Sequence, residues 1–457
     1  MASQRTVRKW VDHQVDRIAL QHPARLALGA FGMVILLFTG LLSLPAATTS
    51  GVRAPFVDAL FTATSAVCVT GLSTVDVGTY WSPFGLAIMG VAIKVGGLGI
   101  ITLASLASLA VSRRLGLTQR ILAAGEARST GLGDLRSLLT TIVAVSTAAE
   151  VIIFLVLLPR FLTLDYEVGT SIGYSAFYAV SAFNNAGFSP DPIGLTPYAG
   201  DLWMLAPIGL GVAVGSLGFP VYLNMLRDWR HPRRWTLHTK ITLVTIATLS
   251  LLSAALLAVF EWSNPATLGN HSTASTIGNI FFQSINQRSG GFSSFDIGQA
   301  RESTWLLEDI LMFIGGGSGG TAGGIRVTTM AVLVLAMWAE ARGRRDIEAF
   351  GKRIGTEVLR LAVSVTLVSM LIVTIGTSVF LMQTGLELDR ALYEVISAFA
   401  TCGLSTGITG SLDADAKVTL IVMMYVGRVG SITLVAALAL NKRRRAVRYP
   451  NERPLIG

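Results

Sequence analysis

Phe61 to Leu72 reads F-T-A-T-S-A-V-C-V-T-G-L, a short, weakly polar apolar run that ends in Val69-Thr70-Gly71-Leu72. The same shape returns three times. Phe177 to Phe188 reads F-Y-A-V-S-A-F-N-N-A-G-F, Phe281 to Phe292 reads F-F-Q-S-I-N-Q-R-S-G-G-F, and Tyr393 to Leu404 reads Y-E-V-I-S-A-F-A-T-C-G-L. Each copy opens on Phe or Tyr and carries, ten positions later, a glycine followed by Leu or Phe. The glycines Gly71, Gly187, Gly291 and Gly403 stand 116, 104 and 112 residues apart. A quasi-period of that length marks duplicated units of membrane architecture.

The rest of the chain agrees. Of 457 residues, 52% are hydrophobic and 14% charged, and the mean hydropathy is +0.60. A soluble domain is closer to a quarter charged. Apolar stretches of about 20 residues recur, long enough to cross a hydrocarbon core, so the chain reads as an all-α polytopic membrane protein. The two cysteines, Cys68 and Cys402, both lie in the repeated segments. They form no metal-ligand pattern or disulfide framework and read as small residues at a crowded site.

Working outward from the first copy, Met1 to Arg25 is polar and basic, and Leu26 to Leu44 reads as an uncleaved transmembrane helix. The apolar part of the Phe61 segment is too short to span, and Pro55 and Asp58 before it suit the start of a re-entrant helix. Its backbone then breaks at Thr70-Gly71, which at membrane depth is tolerated only where the chain is buried in protein or lines water. A second span follows from Pro83 to Val111. Three further units repeat the scheme, with spans at Leu138–Leu158 and Leu202–Leu226, Ile241–Phe260 and Trp305–Met337, and Val358–Met382 and Val418–Leu440. The expectation is eight spanning helices and four re-entrant pore helices. They form four pseudo-symmetric helix–pore-loop–helix repeats around one central pore, at residues 26–114, 136–230, 237–345 and 354–445. Residues 1–25 and 446–457 are terminal segments.

Charge placement gives the topology. The stretches between units carry Arg113, Arg114, Arg120, Arg128 and Arg136, then Arg227, Arg230, Arg233, Arg234 and Lys240, then Arg342, Arg344, Arg345, Lys352 and Arg353. The C-terminus adds Lys442, Arg443, Arg444 and Arg445, while stretches inside units lean acidic, as with Asp165, Glu167, Asp191 and Asp201. The positive-inside rule then puts both termini and all inter-unit loops in the cytoplasm of a cell-membrane protein. The net charge of +9 is a matter of topology, not of nucleic-acid binding, because no basic module with interleaved aromatics lies outside the spans.

Four such units around one axis would direct the negative C-terminal ends of the re-entrant helices toward the membrane middle, where they favour a cation. The extended residues that follow would turn carbonyls to the axis, and carbonyl rings replace the hydration shell of an alkali cation. Glycine lets the chain take unusual dihedrals and approach the axis without a Cβ. Because the ligands are backbone oxygens, side chains are free to vary, as they do across Val69-Thr70-Gly71-Leu72, Asn185-Ala186-Gly187-Phe188, Ser289-Gly290-Gly291-Phe292 and Thr401-Cys402-Gly403-Leu404.

Three intramembrane features stand apart. Gly315-Gly316-Gly317-Ser318-Gly319-Gly320-Thr321-Ala322-Gly323-Gly324 holds seven glycines in ten, which is incompatible with a continuous helix. A dinucleotide fingerprint fits it only loosely and lacks a preceding strand, and Ile325-Arg326 follows where a phosphate loop needs Lys-Ser/Thr. Arg428 lies 14 residues before Lys442, about 21 Å along a helix, too deep to snorkel easily. Lys94 also lies mid-helix, and Glu150 on another span is a candidate partner. The five histidines are scattered over loops, so no set of groups converges as an enzyme needs.

In these motifs the chain resembles the Trk/Ktr/HKT superfamily of potassium transporters over almost its whole length. Thr62 to Leu72 is close to the family's first pore segment, and Ser181 to Phe188 and Ser397 to Leu404 are similar to the second and fourth. The third segment departs where the family often reads Arg-Thr-Ala-Gly-Phe, keeping Arg288 and Gly291-Phe292. The short N-terminus is most like the Ktr-type membrane subunit. The resemblance implies potassium uptake down an electrochemical gradient through a filter of the sixteen residues above, with potassium as the transported ion at their carbonyls. Gly71 stands where sodium-favouring plant members carry Ser, which implies potassium selectivity; a sodium-preferring or weakly selective relative is the alternative. The resemblance further implies that Gly315–Gly324 is an intramembrane gate and that Arg428 faces the pore below the filter. It also implies a homodimer in membrane lipid, a cytoplasmic nucleotide-binding ring of the KtrA type, sodium as an activator and no covalent cofactor.

Overall fold

The computed structural model describes residues 23–113, 132–191 and 194–430. Residues 1–22, the tail 446–457, the end of the last span and the basic residues Arg114, Arg120, Arg128 and Lys442 to Arg445 lie outside the described residues.

In chain order the described helices longer than one turn are α1 (Pro23–Leu42), α2 (Phe56–Cys68), α3 (Pro83–Arg113), α4 (Leu132–Phe161), α5 (Val168–Asn184), α6 (Leu202–Leu217) and α7 (Phe219–Arg227). They continue as α8 (Leu237–Glu261), α9 (Thr273–Asn286), α10 (Glu302–Ile314), α11 (Val327–Ala341), α12 (Thr356–Thr384), α13 (Leu388–Phe399) and α14 (Ala414–Tyr425). One antiparallel hairpin, β1 (Ile347–Ala349) with β2 (Lys352–Ile354), joins α11 to α12. Local chemistry sets several boundaries. Asp201 caps α6 by accepting from the Trp203 and Met204 amides, Thr236 caps α8 and Ser272 caps α9. Gly385, left-handed at φ 63°, ends α12.

Among the described residues, Thr140–Phe161, Leu237–Glu261 and Thr356–Thr384 are each long and apolar enough to cross a membrane unaided. Two of the eight expected spans are not continuous. Leu202 to Leu226 breaks at Gly218, where α6 and α7 meet at 93°, and Trp305 to Met337 breaks between Ile314 and Val327. At Gly218 the φ of 94° excludes a continuing helix, and a Cβ would meet the Ser318 carbonyl oxygen at 2.5 Å. The last span passes from α14 into a π-helical turn, Val426–Gly430, that carries Arg428.

The four short helices α2, α5, α9 and α13 have 13, 17, 14 and 12 residues, about 18–26 Å long and shorter than a bilayer core. Their C-terminal halves are buried: Phe61 to Cys68 are 0% exposed, and so are Tyr393, Val395 and Ala398. Each packs against a helix from the stretch before it in the chain, α5 on α3, α9 on α6 and α13 on α10, and, closing the circle, α2 packs on α14. The core therefore lies where the four short helices converge.

Candidate functional site

Each short helix hands the chain to an extended segment, and the turn is made with unusual dihedrals. Val69 ends α2 at φ 56°, Asn185 ends α5 at φ 60°, and Thr401 follows α13 at φ 47°. A β-branched residue in this region is strained and persists only where its surroundings impose it. The third copy differs: Gln287 ends α9 in right-handed geometry, and positive φ is first reached at Gly291. The departure seen in the sequence is thus a departure in backbone path.

The four glycines then meet in order. Gly71, Gly187, Gly291 and Gly403 all have positive φ, at 101°, 69°, 72° and 97°. A Cβ on Gly71 would overlap the Ala186 carbonyl oxygen, and one on Gly187 would lie 2.7 Å from Gly291 Cα. A Cβ on Gly291 would overlap the Cys402 carbonyl oxygen, and one on Gly403 would overlap that of Thr70. Each segment abuts the next and the fourth abuts the first, so four backbones share a space that side chains at these positions would fill. Leu72, Phe188, Phe292 and Leu404 are at most 2% exposed and belong to the buried apolar clusters around the segments.

Serines not singled out from sequence hold these segments. Ser65 Oγ accepts from the Gly71 amide and Ser397 Oγ from the Gly403 amide, both at 3.1 Å. Ser181 Oγ instead donates to the Phe188 carbonyl at 2.9 Å. The signal was present, since serine is fifth in three of the four copies and Ile285 fifth in the third. Buried carboxylates brace the surround. Glu308 accepts from Gln283 on α9 and Tyr393 on α13, at 2.7 and 2.5 Å. Glu394 accepts from Ser405, the Thr406 amide and Thr409 just beyond the fourth segment.

On one side the segments open to a cavity of ≈540 Å³ lined by Gly71, Ser73, Asp76, Gly187, Asp191 and Gly407, among others. Asp191 accepts from Tyr166 at 2.8 Å and Tyr198 at 2.9 Å. Burial pushes the Tyr198 hydroxyl above its ordinary value, and the Tyr166 and Asp191 bonds add to this, so it remains a donor. On the other side lies the Gly315–Gly324 stretch. Gly323 fits directly beneath α13, where a Cβ would overlap the Ala400 carbonyl oxygen and Thr401 Oγ1, and its amide donates to Ser289 Oγ at 3.2 Å. The stretch is stitched to the α6–α7 break: the Gly317 amide donates to Ser216 O at 2.8 Å and the Phe219 amide to Gly319 O at 3.2 Å. Arg326, missed from sequence although it is a cation in an apolar stretch, is at φ 85° and donates to the Gly317 and Ala322 carbonyls. Arg428 is 1% exposed; its Nη1 donates to Thr401 Oγ1 at 3.2 Å, while Nε and Nη2 have no partner among the described residues. Lys94 is paired with Glu150 at 2.7 Å.

A family model described as TrkH, cation transport protein, matches residues 32–444. The chain is 35% identical, over 98% of its length and 99% of the relative's, to a Ktr system potassium uptake protein B of Bacillus subtilis. It is 32% identical, over 95% of its length and 97% of the relative's, to a potassium/sodium uptake protein NtpJ of Enterococcus hirae. The fold is similar, with TM-score 0.68 and 18% identity over 91% of this chain and 85% of the other, to the crystal structure of the potassium transporter TrkH from Vibrio parahaemolyticus.

Proposed function

Because the chain belongs to the TrkH family of cation transport proteins, a family of transporters and not of enzymes, we propose that it takes up potassium across the cytoplasmic membrane. The ring of Gly71, Gly187, Gly291 and Gly403, each seated on the next segment, carries this reading. In it the carbonyls of residues 69–72, 185–188, 289–292 and 401–404 replace water around a dehydrated ion, and the short helices direct their negative ends toward it. The units at 26–114, 136–230, 237–345 and 354–445 surround one central pore with eight crossings, two of them broken, and both termini are cytoplasmic. The Gly315–Gly324 stretch, seated under Ala400 and Thr401, is the gate. Arg428 sets an electrostatic barrier below the filter, a reading supported by two donor atoms of its guanidinium that lack a partner among the described residues. The protein works as a homodimer in lipid with a cytoplasmic KtrA-type nucleotide-binding ring, and sodium acts as an activator.

A second reading, a carrier of sodium as well as potassium, is favoured by the Enterococcus relative named for both ions. Potassium uptake into proteoliposomes of the purified chain, with sodium competition, tests both. Uptake that sodium fails to compete supports the first reading, equal uptake of both ions the second, and no flux with or without a ring partner overturns both.

A further inference from the structure

Lys94 stands two residues before Gly96-Gly97 on α3, and that glycine pair brings α3 against the ends of two short helices. A Cβ on Gly96 would overlap the Val67 carbonyl oxygen of α2, and one on Gly97 would overlap the Asn184 side chain of α5. Lys94 Nζ reaches Glu150 Oε2 on α4 at 2.7 Å and Ser146 Oγ at 2.6 Å. The other oxygen, Glu150 Oε1, accepts from Asn184 Nδ2 at 2.9 Å. Asn184 is the last residue of α5, and its neighbour Asn185 makes the left-handed turn into the second glycine segment. The contacts run from the first unit, through the first helix of the second, to the root of that segment.

Two observations separate this network from ordinary packing. The second segment lacks the serine bond to its glycine amide that the first and fourth possess, because Ser181 is turned to Phe188. Asn184 supplies a hold at the segment's root instead. Secondly, Asn184 is eighth in its copy, and the eighth residue of the third copy, Arg288, also reaches the first helix of its own unit, donating to Ile246 O at 3.4 Å. Tethering from this position therefore recurs. Glu150, 7% exposed, would be a carboxylate without a counter-charge if Lys94 were removed.

We propose that the Lys94–Glu150 ion pair is a positioning device for the second glycine segment, acting through Asn184 to hold Asn185-Ala186-Gly187 in register with its neighbours. This rests on the reading of the four segments as a cation filter. The pair touches no transported ion; it acts on selectivity by fixing one quarter of the ring.

The test is a double-mutant cycle on Glu150→Leu and Asn184→Leu in the full chain, reading the ratio of potassium to sodium uptake in proteoliposomes. Lys94→Met tests the cation, and Lys94→Arg is the conservative control. Both leucine variants should lower the ratio, and the double variant should lower it no further, a coupling of about threefold or more. Lys94→Met should share the loss and Lys94→Arg restore most of it. A purely structural role would reduce the amount of folded protein and the total flux together while leaving the ratio at its parental value. That outcome, or independent multiplicative effects, overturns the proposal. If the parent does not discriminate the two ions, the potassium reading fails by itself, and the cycle is read on the half-saturating concentration of the carried cation; coupling there sustains the positioning role and additivity sinks it. A parent that carries no cation overturns both.

Discussion

Arg428 Nη1 donates to Thr401 Oγ1 at 3.2 Å, joining a buried cation in the π-helical turn after α14 to the left-handed residue that opens the fourth glycine segment. Its Nε and Nη2 find no hydrogen-bond partner among the described residues, so its buried positive charge is left largely uncompensated there. A π-turn re-aims side chains relative to the helix before it, and such turns are frequent at functional sites.

Arg428→Gln should therefore raise cation flux. Repulsion from an uncompensated positive charge raises the barrier to a passing cation, and each ~1.4 kcal/mol of it is tenfold in rate, so a rise of roughly tenfold is expected. Tracer uptake at saturating potassium measures it. Unchanged flux would remove Arg428 from the barrier.

Gly403→Ala and Gly71→Ser should both reduce discrimination between potassium and sodium. Their φ values of 97° and 101° cost an L-residue about 1–3 kcal/mol, and each new Cβ overlaps a carbonyl oxygen of the neighbouring segment. The ring has to open, which favours no single ion radius. A fall of about tenfold in the uptake ratio is expected from competition assays. Gly51→Ala, also at positive φ but with nothing within 4 Å, should leave the ratio unchanged.

Ser65→Ala and Ser397→Ala each leave a glycine amide without its side-chain acceptor. An unsatisfied buried donor costs about 1–3 kcal/mol. Selectivity should fall severalfold in each. Ser65→Thr, which keeps the hydroxyl, should fall less. Equal ratios for all three variants and the parent would show that the serines do not hold the segments.

Gly323→Ala places a methyl group on the Ala400 carbonyl oxygen and Thr401 Oγ1. The Gly315–Gly324 stretch then has to withdraw from beneath α13, and the bond from the Gly323 amide to Ser289 is lost. Basal flux should rise and lose its response to a regulatory partner. A variant with parental basal flux and full regulation would show that this contact does not gate.

Glu308→Ala should destabilise the fold. Its carboxylate is 0% exposed and receives hydrogen bonds from both Gln283 and Tyr393, so it clamps α9 to α13. Its removal orphans two buried donors, at about 1–3 kcal/mol each. A lower Tm in detergent is expected, with Glu308→Gln intermediate because its amide oxygen still accepts from one partner. Equal Tm values for all three would rule out the clamp.

Sequence alone determined the membrane class, the four glycine segments, the break at Gly315–Gly324 and the placement of Arg428 and Lys94 as cations within apolar helical stretches. Each follows from local physics: apolar length sets where a helix can cross, and repeated glycine marks where the backbone cannot remain helical. Glu150 was also legible as a partner for Lys94, because an intramembrane cation requires a counter-charge. The order in which the glycines abut was decided only in three dimensions, since Ala186, Cys402 and Thr70 bear on them through backbone atoms that no side-chain pattern records. The break at Gly218 was hidden for a related reason. One glycine in an apolar run is tolerated by a helix, and only the Ser318 carbonyl and the Gly319 bond to Phe219, brought from a hundred residues away, turn it into a 93° corner. Hydropathy and glycine placement are properties of a segment; register, hinge angle and the direction in which a buried charge points are properties of what packs against it.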